Sequence, residues 1–179
     1  RWQETGSLKV APDNLTQARQ LMRAVADELA EAQYLAEPGS GRYVAASQIE
    51  RREVAACKEQ LAAYLDFEAA FLTRFHPIRL EHAIAPEDGV TYAGRPFIGT
   101  VDRIDVDDAG NAVVIDYKGS VLSAHQIAGK GPGDPGKVQA RMYAQVVQRQ
   151  LGLRVVGALY VSYGKVHACS GAYDGCVLD

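Results

Sequence analysis

One stretch constrains the fold of this chain more than any other. Gly99-Thr100-Val101-Asp102-Arg103-Ile104-Asp105 is followed by Asp107-Asp108-Ala109-Gly110-Asn111 and then by Val113-Val114-Ile115-Asp116-Tyr117-Lys118. The outer runs are apolar or alternating and rich in β-branched residues, as strands are, and the five residues between them are a turn signal. Gly110 can take the positive φ that a three-residue hairpin loop needs. With the turn centred on Ala109, Asp102 falls opposite Asp116, to within about a residue or two. Side chains alternate with period 2, so Lys118 shares the face of Asp116. Two carboxylates across a ladder repel each other, and burying either adds to the cost. A divalent cation between them removes the penalty, and a lysine beside them can hold a water or an anionic oxygen.

The chain has 179 residues, enough for one domain with a sizeable core, and its 47% hydrophobic and 23% charged residues are ordinary globular composition. No apolar run approaches the roughly 18 residues of a membrane span, and no signal peptide pattern opens the chain. It begins at Arg1, which marks it as an expected fragment of a larger protein. A net charge of −3 argues against a general basic nucleic-acid coat, though not against a local basic groove. Cys57, Cys169 and Cys176 are odd in number and lack CxxC spacing, so a reducing, cytoplasmic setting is the simplest reading.

The rest of the pattern frames the hairpin. Residues 12–35 read as a helix, with Asp13 or Asn14 at its start and Leu15, Ala18, Leu21, Met22, Val25, Ala26 and Leu29 at helical spacing. Residues 46–75 form a longer helical stretch that stops before Pro77. Ile78 to Ile84 alternates as a strand, with Ile78, Leu80, His82 and Ile84 on one face and Arg79, Glu81 and Ala83 on the other. The hairpin arms follow at about 96–106 and 112–119. Residues 129–136 must be loop, and Lys137 to Leu151 reads as a helix. Val155 to Tyr163 is a strand, Tyr163-Gly164-Lys165 a tight turn and Val166 to Cys169 a returning strand. This order describes one α/β domain over 1–179, helical over residues 1–75 and with a sheet-containing core over 76–179, in which helices flank a central mixed sheet.

Several of these motifs, in this order, resemble a family. Gly99 to Asp105, then Ile115-Asp116-Tyr117-Lys118, then Gln139-x-x-x-Tyr143 look like the RecB-type branch of the PD-(D/E)xK nucleases, the nuclease module of bacterial helicase–nuclease repair complexes such as the AddAB-type enzymes. Glu81 sits where that family carries an acidic residue on the preceding strand. The resemblance covers residues 77–163 and implies a restriction-endonuclease-like fold and a metal-dependent DNA nuclease. By the same resemblance Asp102, Asp116 and the backbone carbonyl of Tyr117 would bind Mg²⁺ or Mn²⁺, with Glu81 as a metal or water ligand. Lys118 would orient the attacking water and stabilise charge on the phosphate. Gln139 and Tyr143, one helical turn apart, would brace the site or contact the DNA backbone. The implied substrate is single-stranded DNA fed from a helicase domain or subunit of the parent protein.

The family usually has an earlier helix with a metal-binding His. His76 and His82 are in the wrong place for it, and His82 is across its strand from Glu81. That helix is expected upstream of Arg1 or not at all, so this chain alone is expected to cut poorly. The rival reading is a non-catalytic DNA-binding or scaffolding module of the same fold, against which the complete trio Asp102, Asp116 and Lys118 argues.

Other features have plainer readings. Asp105, across the strand from Asp102, is read as a salt-bridge or turn residue, and Arg103 either pairs with it or contacts phosphate. His125 and His167 are ordinary surface positions. Gly131-x-x-x-x-Gly136-Lys137 matches most of a P-loop, but Val138 stands where the Mg²⁺-binding hydroxyl belongs, and Pro132 and Pro135 remove cradle amides. An iron–sulfur cluster needs four thiolates and the chain has three cysteines; a buried Cys57 and a loose C-terminal pair is the plainer reading.

Overall fold

The structure is a computed structural model that describes residues 4, 9–34, 48–92, 94–120 and 138–177. The chain divides into two compact units, Arg1–Phe71 and Leu72–Asp179. The first is a pair of helices, α1 (Leu15–Tyr34) and α2 (Gln48–Ala70). Ion pairs Arg19–Asp66, Arg23–Glu59 and Lys58–Asp27 step down one helix as they climb the other, so the two run antiparallel. Lys58 takes the stripe position that the sequence assigned to Cys57, and Cys57 is exposed rather than buried. Leu29 is exposed as well, at the far end of the α1 stripe. Asn14 does not cap α1 with its side chain. Its carboxamide turns upstream, accepting the Ala11 amide and donating to the Lys9 carbonyl, while its backbone carbonyl takes the first helical amide, from Ala18.

Helix α2 ends at Ala70, earlier than the pattern predicts. Phe71 and Leu72 are apolar and buried, which extends the helical periodicity, but Leu72 has φ 50°. A left-handed residue just past the last turn is how many helices stop.

The second unit is a five-stranded mixed sheet in the order β1-β4-β5-β6-β7, with one helix, α3 (Val138–Leu151), on it. Its strands are β1 (His76–Ile84), β4 (Gly99–Val106), β5 (Asn111–Lys118), β6 (Arg154–Ser162) and β7 (Cys169–Tyr173). A two-residue hairpin, β2 (Thr91–Tyr92) and β3 (Arg95–Pro96), stands where the sequence predicts the start of the first hairpin arm. β5 and β6 pair in parallel, and α3 lies in the crossover that such a pair requires. The core on the α3 face holds Ile104, Ala112, Val114, Ala158 and Tyr160 against Ala140, Met142, Tyr143, Val146 and Val147. The other face of the central strands carries Val113, Ile115, Leu159 and Val161, all buried.

The central hairpin has the predicted register. Arg103 pairs with Ile115 and Val106 with Ala112, and Gly110 has φ 78°. Asp107 holds the turn: its carboxylate accepts the Ala109 and Asn111 amides at 3.0 and 2.8 Å and the Asn111 side chain at 2.8 Å. Burial opposes ionisation of Asp107, but these bonds and the nearby Arg74 outweigh it and hold its pKa below the ordinary carboxylate value. A depressed carboxylate contributes stability that is present above the unfolded pKa and fades as pH falls through the folded one. Asp107→Ala should therefore cost about 1–3 kcal/mol at neutral pH, and the difference from wild type should shrink below about pH 4, as followed by urea unfolding across pH. A difference that persists in acid would show that the carboxylate charge is not what holds the turn.

The returning strand starts later than the sequence predicts. Residues 163–168 form a longer turn and β7 begins at Cys169, paired with Val161. The cause is Gly164, whose backbone lies so close to the Gly119 carbonyl that a β-carbon there would collide with it. The chain must first clear that contact before it can pair. The glycine-proline run at 129–136, the P-loop-like segment and His125 lie outside the described residues.

Candidate active site

The hairpin ladder between β4 and β5 ends at Arg103 and Ile115, although both strands run on. Beyond that point β4 pairs with β1, and β5 pairs with β6. The sheet forks there, and the register carried one step further sets Asp102 against Asp116. The Asp102 carboxylate occupies the crotch of the fork and accepts the Tyr117 amide at 2.6 Å, the group a continuing ladder would have used. Asp116 is 3% exposed and forms an ion pair with Lys118. Each carboxylate thus has a partner within the protein, which offsets their mutual repulsion. The arrangement still leaves two hard-oxygen carboxylates at one opening in the sheet.

Lys118 sits at that opening with 30% of its side chain exposed. Burial disfavours its charge, but the bond and charge of Asp116, with Asp102 and Tyr160, more than compensate and raise its pKa above the ordinary lysine value. It is an ammonium, a donor and not a base. Its Nζ lies 5.7 Å from the centre of the Tyr160 ring, within range of a cation–π contact. Tyr160 faces Asp116 in the parallel β5–β6 register, and its hydroxyl accepts the Ala140 amide in the first turn of α3 at 3.3 Å. Reasoning from sequence missed Tyr160. It lies in an apolar strand that reads as core, and only its alignment with Asp116 across a parallel pair would have singled it out.

The lysine end of β5 is fixed through its backbone. The Tyr163 amide donates to the Lys118 carbonyl at 3.1 Å, and the Ser162 hydroxyl donates to the Gly119 carbonyl at 3.3 Å. Gln139 and Tyr143 are brought together by α3: the Gln139 amide donates to the Tyr143 hydroxyl at 2.7 Å. Tyr143 is buried, its ring edge-on to Phe97 and its hydroxyl near Gly99 at the start of β4. Burial and the charges of Asp116 and Asp102 push its pKa up despite the Gln139 bond. Tyr160 is raised for the same leading reason, its burial. Both remain neutral hydroxyls.

Glu81 stands apart in conformation. The β1–β4 register aligns it with Asp102, between the pairs Leu80–Arg103 and His82–Val101, but its φ is 51° and its side chain is exposed. This left-handed residue interrupts the two-residue alternation, and Leu80, expected on the face of buried Ile84, is exposed. Among the described residues no three His, Cys, Asp or Glu side chains come together in a group able to hold a metal ion, so Glu81 is not gathered with Asp102 and Asp116. A non-glycine left-handed residue inside a strand is strained, and such strain clusters at functional sites. His82 points elsewhere, to Gln150 of α3 at 2.7 Å.

Arg103 and Asp105 settle one open alternative. They form a bidentate ion pair, both bonds 2.6 Å, with Arg103 6% and Asp105 0% exposed, and Arg103 also donates to the Tyr117 hydroxyl at 3.1 Å. All three alternate to the face opposite Asp102 and Asp116. Arg103 is therefore a structural cation, not a phosphate contact.

A forked mixed sheet with paired acids and a lysine at the split, and a helix bearing Gln and Tyr beside it, defines a restriction-endonuclease-like fold. The chain belongs to the PD-(D/E)XK nuclease superfamily, whose family model matches residues 2–170. No curated protein matches the chain significantly. Nucleases of this superfamily use divalent metals such as Mg²⁺ or Mn²⁺. The donors here fit such an ion: two carboxylates and a neighbouring backbone carbonyl are hard oxygens, and Mg²⁺ is commonly held by one or two carboxylates with water completing its shell. Among the described residues no helix is long and apolar enough to cross a membrane.

Proposed function

We propose that this chain is a metal-dependent deoxyribonuclease domain of the RecB and AddAB kind, acting on single-stranded DNA within a cytoplasmic helicase–nuclease that serves DNA repair. The observation that carries the reading is the convergence of Asp102, Asp116 and Lys118 at the fork between β4 and β5. Asp102, Asp116 and the Tyr117 carbonyl would hold Mg²⁺ or Mn²⁺, and Glu81 would reach the same ion or its water. The cation supplies positive charge to the phosphate and makes a nearby water more acidic. The Lys118 ammonium donates a hydrogen bond to the attacking water or to a phosphate oxygen and stabilises the charge that builds there. Tyr160 holds the lysine from beneath and ties it to α3. Gln139 and Tyr143, neutral donors on that helix, brace the wall of the site or meet the DNA backbone.

The test is a calorimetric titration of Mn²⁺ into wild type and Asp116→Asn, paired with cleavage of labelled single-stranded DNA in Mg²⁺ and in EDTA. Wild type should bind Mn²⁺ and cut only without EDTA, and Asp116→Asn should lose at least about tenfold in Mn²⁺ affinity. Equal affinities would remove Asp116 from the metal site. DNA binding without any EDTA-sensitive cleavage would favour the non-catalytic module instead.

A further inference from the structure

The turn after β6 presents an exposed aromatic ring beside the lysine of the site. Tyr163 is 45% exposed, next to the exposed Lys165 and Val166. Its hydroxyl would lie 3.8 Å from a β-carbon placed on Gly119, so the side chain runs along the residue that follows Lys118. Its backbone is held more firmly than an exposed turn requires. The Tyr163 amide is bound to the Lys118 carbonyl at 3.1 Å, the Gly164 amide to the Ser162 hydroxyl at 3.3 Å, and the Ser162 amide to the Ala168 carbonyl at 2.8 Å. Gly164 is pressed against the Gly119 carbonyl, a contact only glycine permits.

We propose that Tyr163 is a stacking residue for a base of single-stranded DNA flanking the cleaved phosphate, and that it sets a preference for single strands over duplex. The inference rests on the nuclease reading above and adds to it a residue that touches the substrate's base. A ring fixed in place loses little freedom on binding, so its stacking energy is largely retained. Every base has a π-face, so such a contact tolerates any sequence, whereas the bases of a duplex already have both faces covered by their neighbours. Lys165, two residues on and exposed, is placed to meet the phosphate of the nucleotide whose base lies on Tyr163.

The experiment measures anisotropy of labelled oligodeoxyadenylate in Ca²⁺ with wild type, Tyr163→Ala and Tyr163→Phe. A duplex and a single strand of abasic sites of the same length serve as controls. Tyr163→Ala should weaken single-strand binding about tenfold. Tyr163→Phe should bind like wild type, because the ring and not the hydroxyl does the stacking. The duplex and the abasic strand should bind wild type and Tyr163→Ala alike. Equal affinity of wild type and Tyr163→Ala for oligodeoxyadenylate overturns the stacking role and leaves the nuclease reading standing. An equal loss on the abasic strand also overturns it, since no base is then involved. Wild type that binds neither single strand nor duplex overturns both.

Discussion

Asp105→Ala should lower the free energy of unfolding by about 3–5 kcal/mol, the range for breaking a buried ion pair. The substitution leaves the Arg103 guanidinium, 6% exposed, without the two bonds that match its fork. The loss should not reflect the net worth of the pair. Replacing both residues with apolar groups, as in Arg103→Met with Asp105→Leu, removes the stranded charge and should recover most of the stability. Urea unfolding of the single and double variants, with unchanged slopes, measures the difference. A cost under about 1 kcal/mol for the single variant would mean that water reaches Arg103. The double variant should keep Mn²⁺ affinity, because the pair lies on the face away from Asp102 and Asp116.

Lys118→Ala should lower cleavage by about 10²–10³-fold, the loss seen when one preorganised charge-stabilising donor is removed. Metal binding should move the other way. In the free protein the ammonium is bound to Asp116, so a cation must compete with it for that carboxylate. Without the lysine, Asp116 is a buried carboxylate that has lost this counter-charge, and an ion that binds only the folded state restores the balance. Mn²⁺ should therefore bind Lys118→Ala at least as tightly as wild type and raise its melting temperature more. Single-turnover cleavage, calorimetry and thermal melts with and without Mn²⁺ separate these effects. A parallel fall in Mn²⁺ affinity would show that Lys118 supports the ligand set rather than the reaction.

The hairpin is readable from sequence because two independent signals agree on it. The turn residues set its centre, and the period-2 pattern then sets the faces of Asp102, Asp116 and Lys118. The fork is not readable, because it arises from Asp102 capturing the Tyr117 amide, a competition between side chain and ladder that leaves the hydrophobic pattern unchanged. The same limit hides the left-handed Glu81 and the end of α2 at Leu72: in both places the residues keep their periodicity while the backbone leaves it. Arg103 and Asp105 can be paired from their spacing, since residues two apart on a strand share a face, but their burial cannot be read. Tyr160 and the late start of β7 depend on which strand lies beside β5. That is a fact of topology, and the local sequence does not encode it.

The parallel pairing of β5 with β6 has a consequence for the order of assembly. The β4–β5 hairpin closes a short loop, and its Arg103–Asp105 pair and Asp107 turn are local in sequence, so it can form early at small entropic cost. Tyr160 reaches Asp116 only after the chain has passed through α3 and returned, which is the kind of distant contact that slows folding. The acids of the fork are therefore in place before the strand that holds Lys118 from beneath. Substitutions in the hairpin should slow folding, whereas those at Tyr160 or Gly164 should mainly speed unfolding. The chain builds its ligand-bearing hairpin first and completes the catalytic setting last.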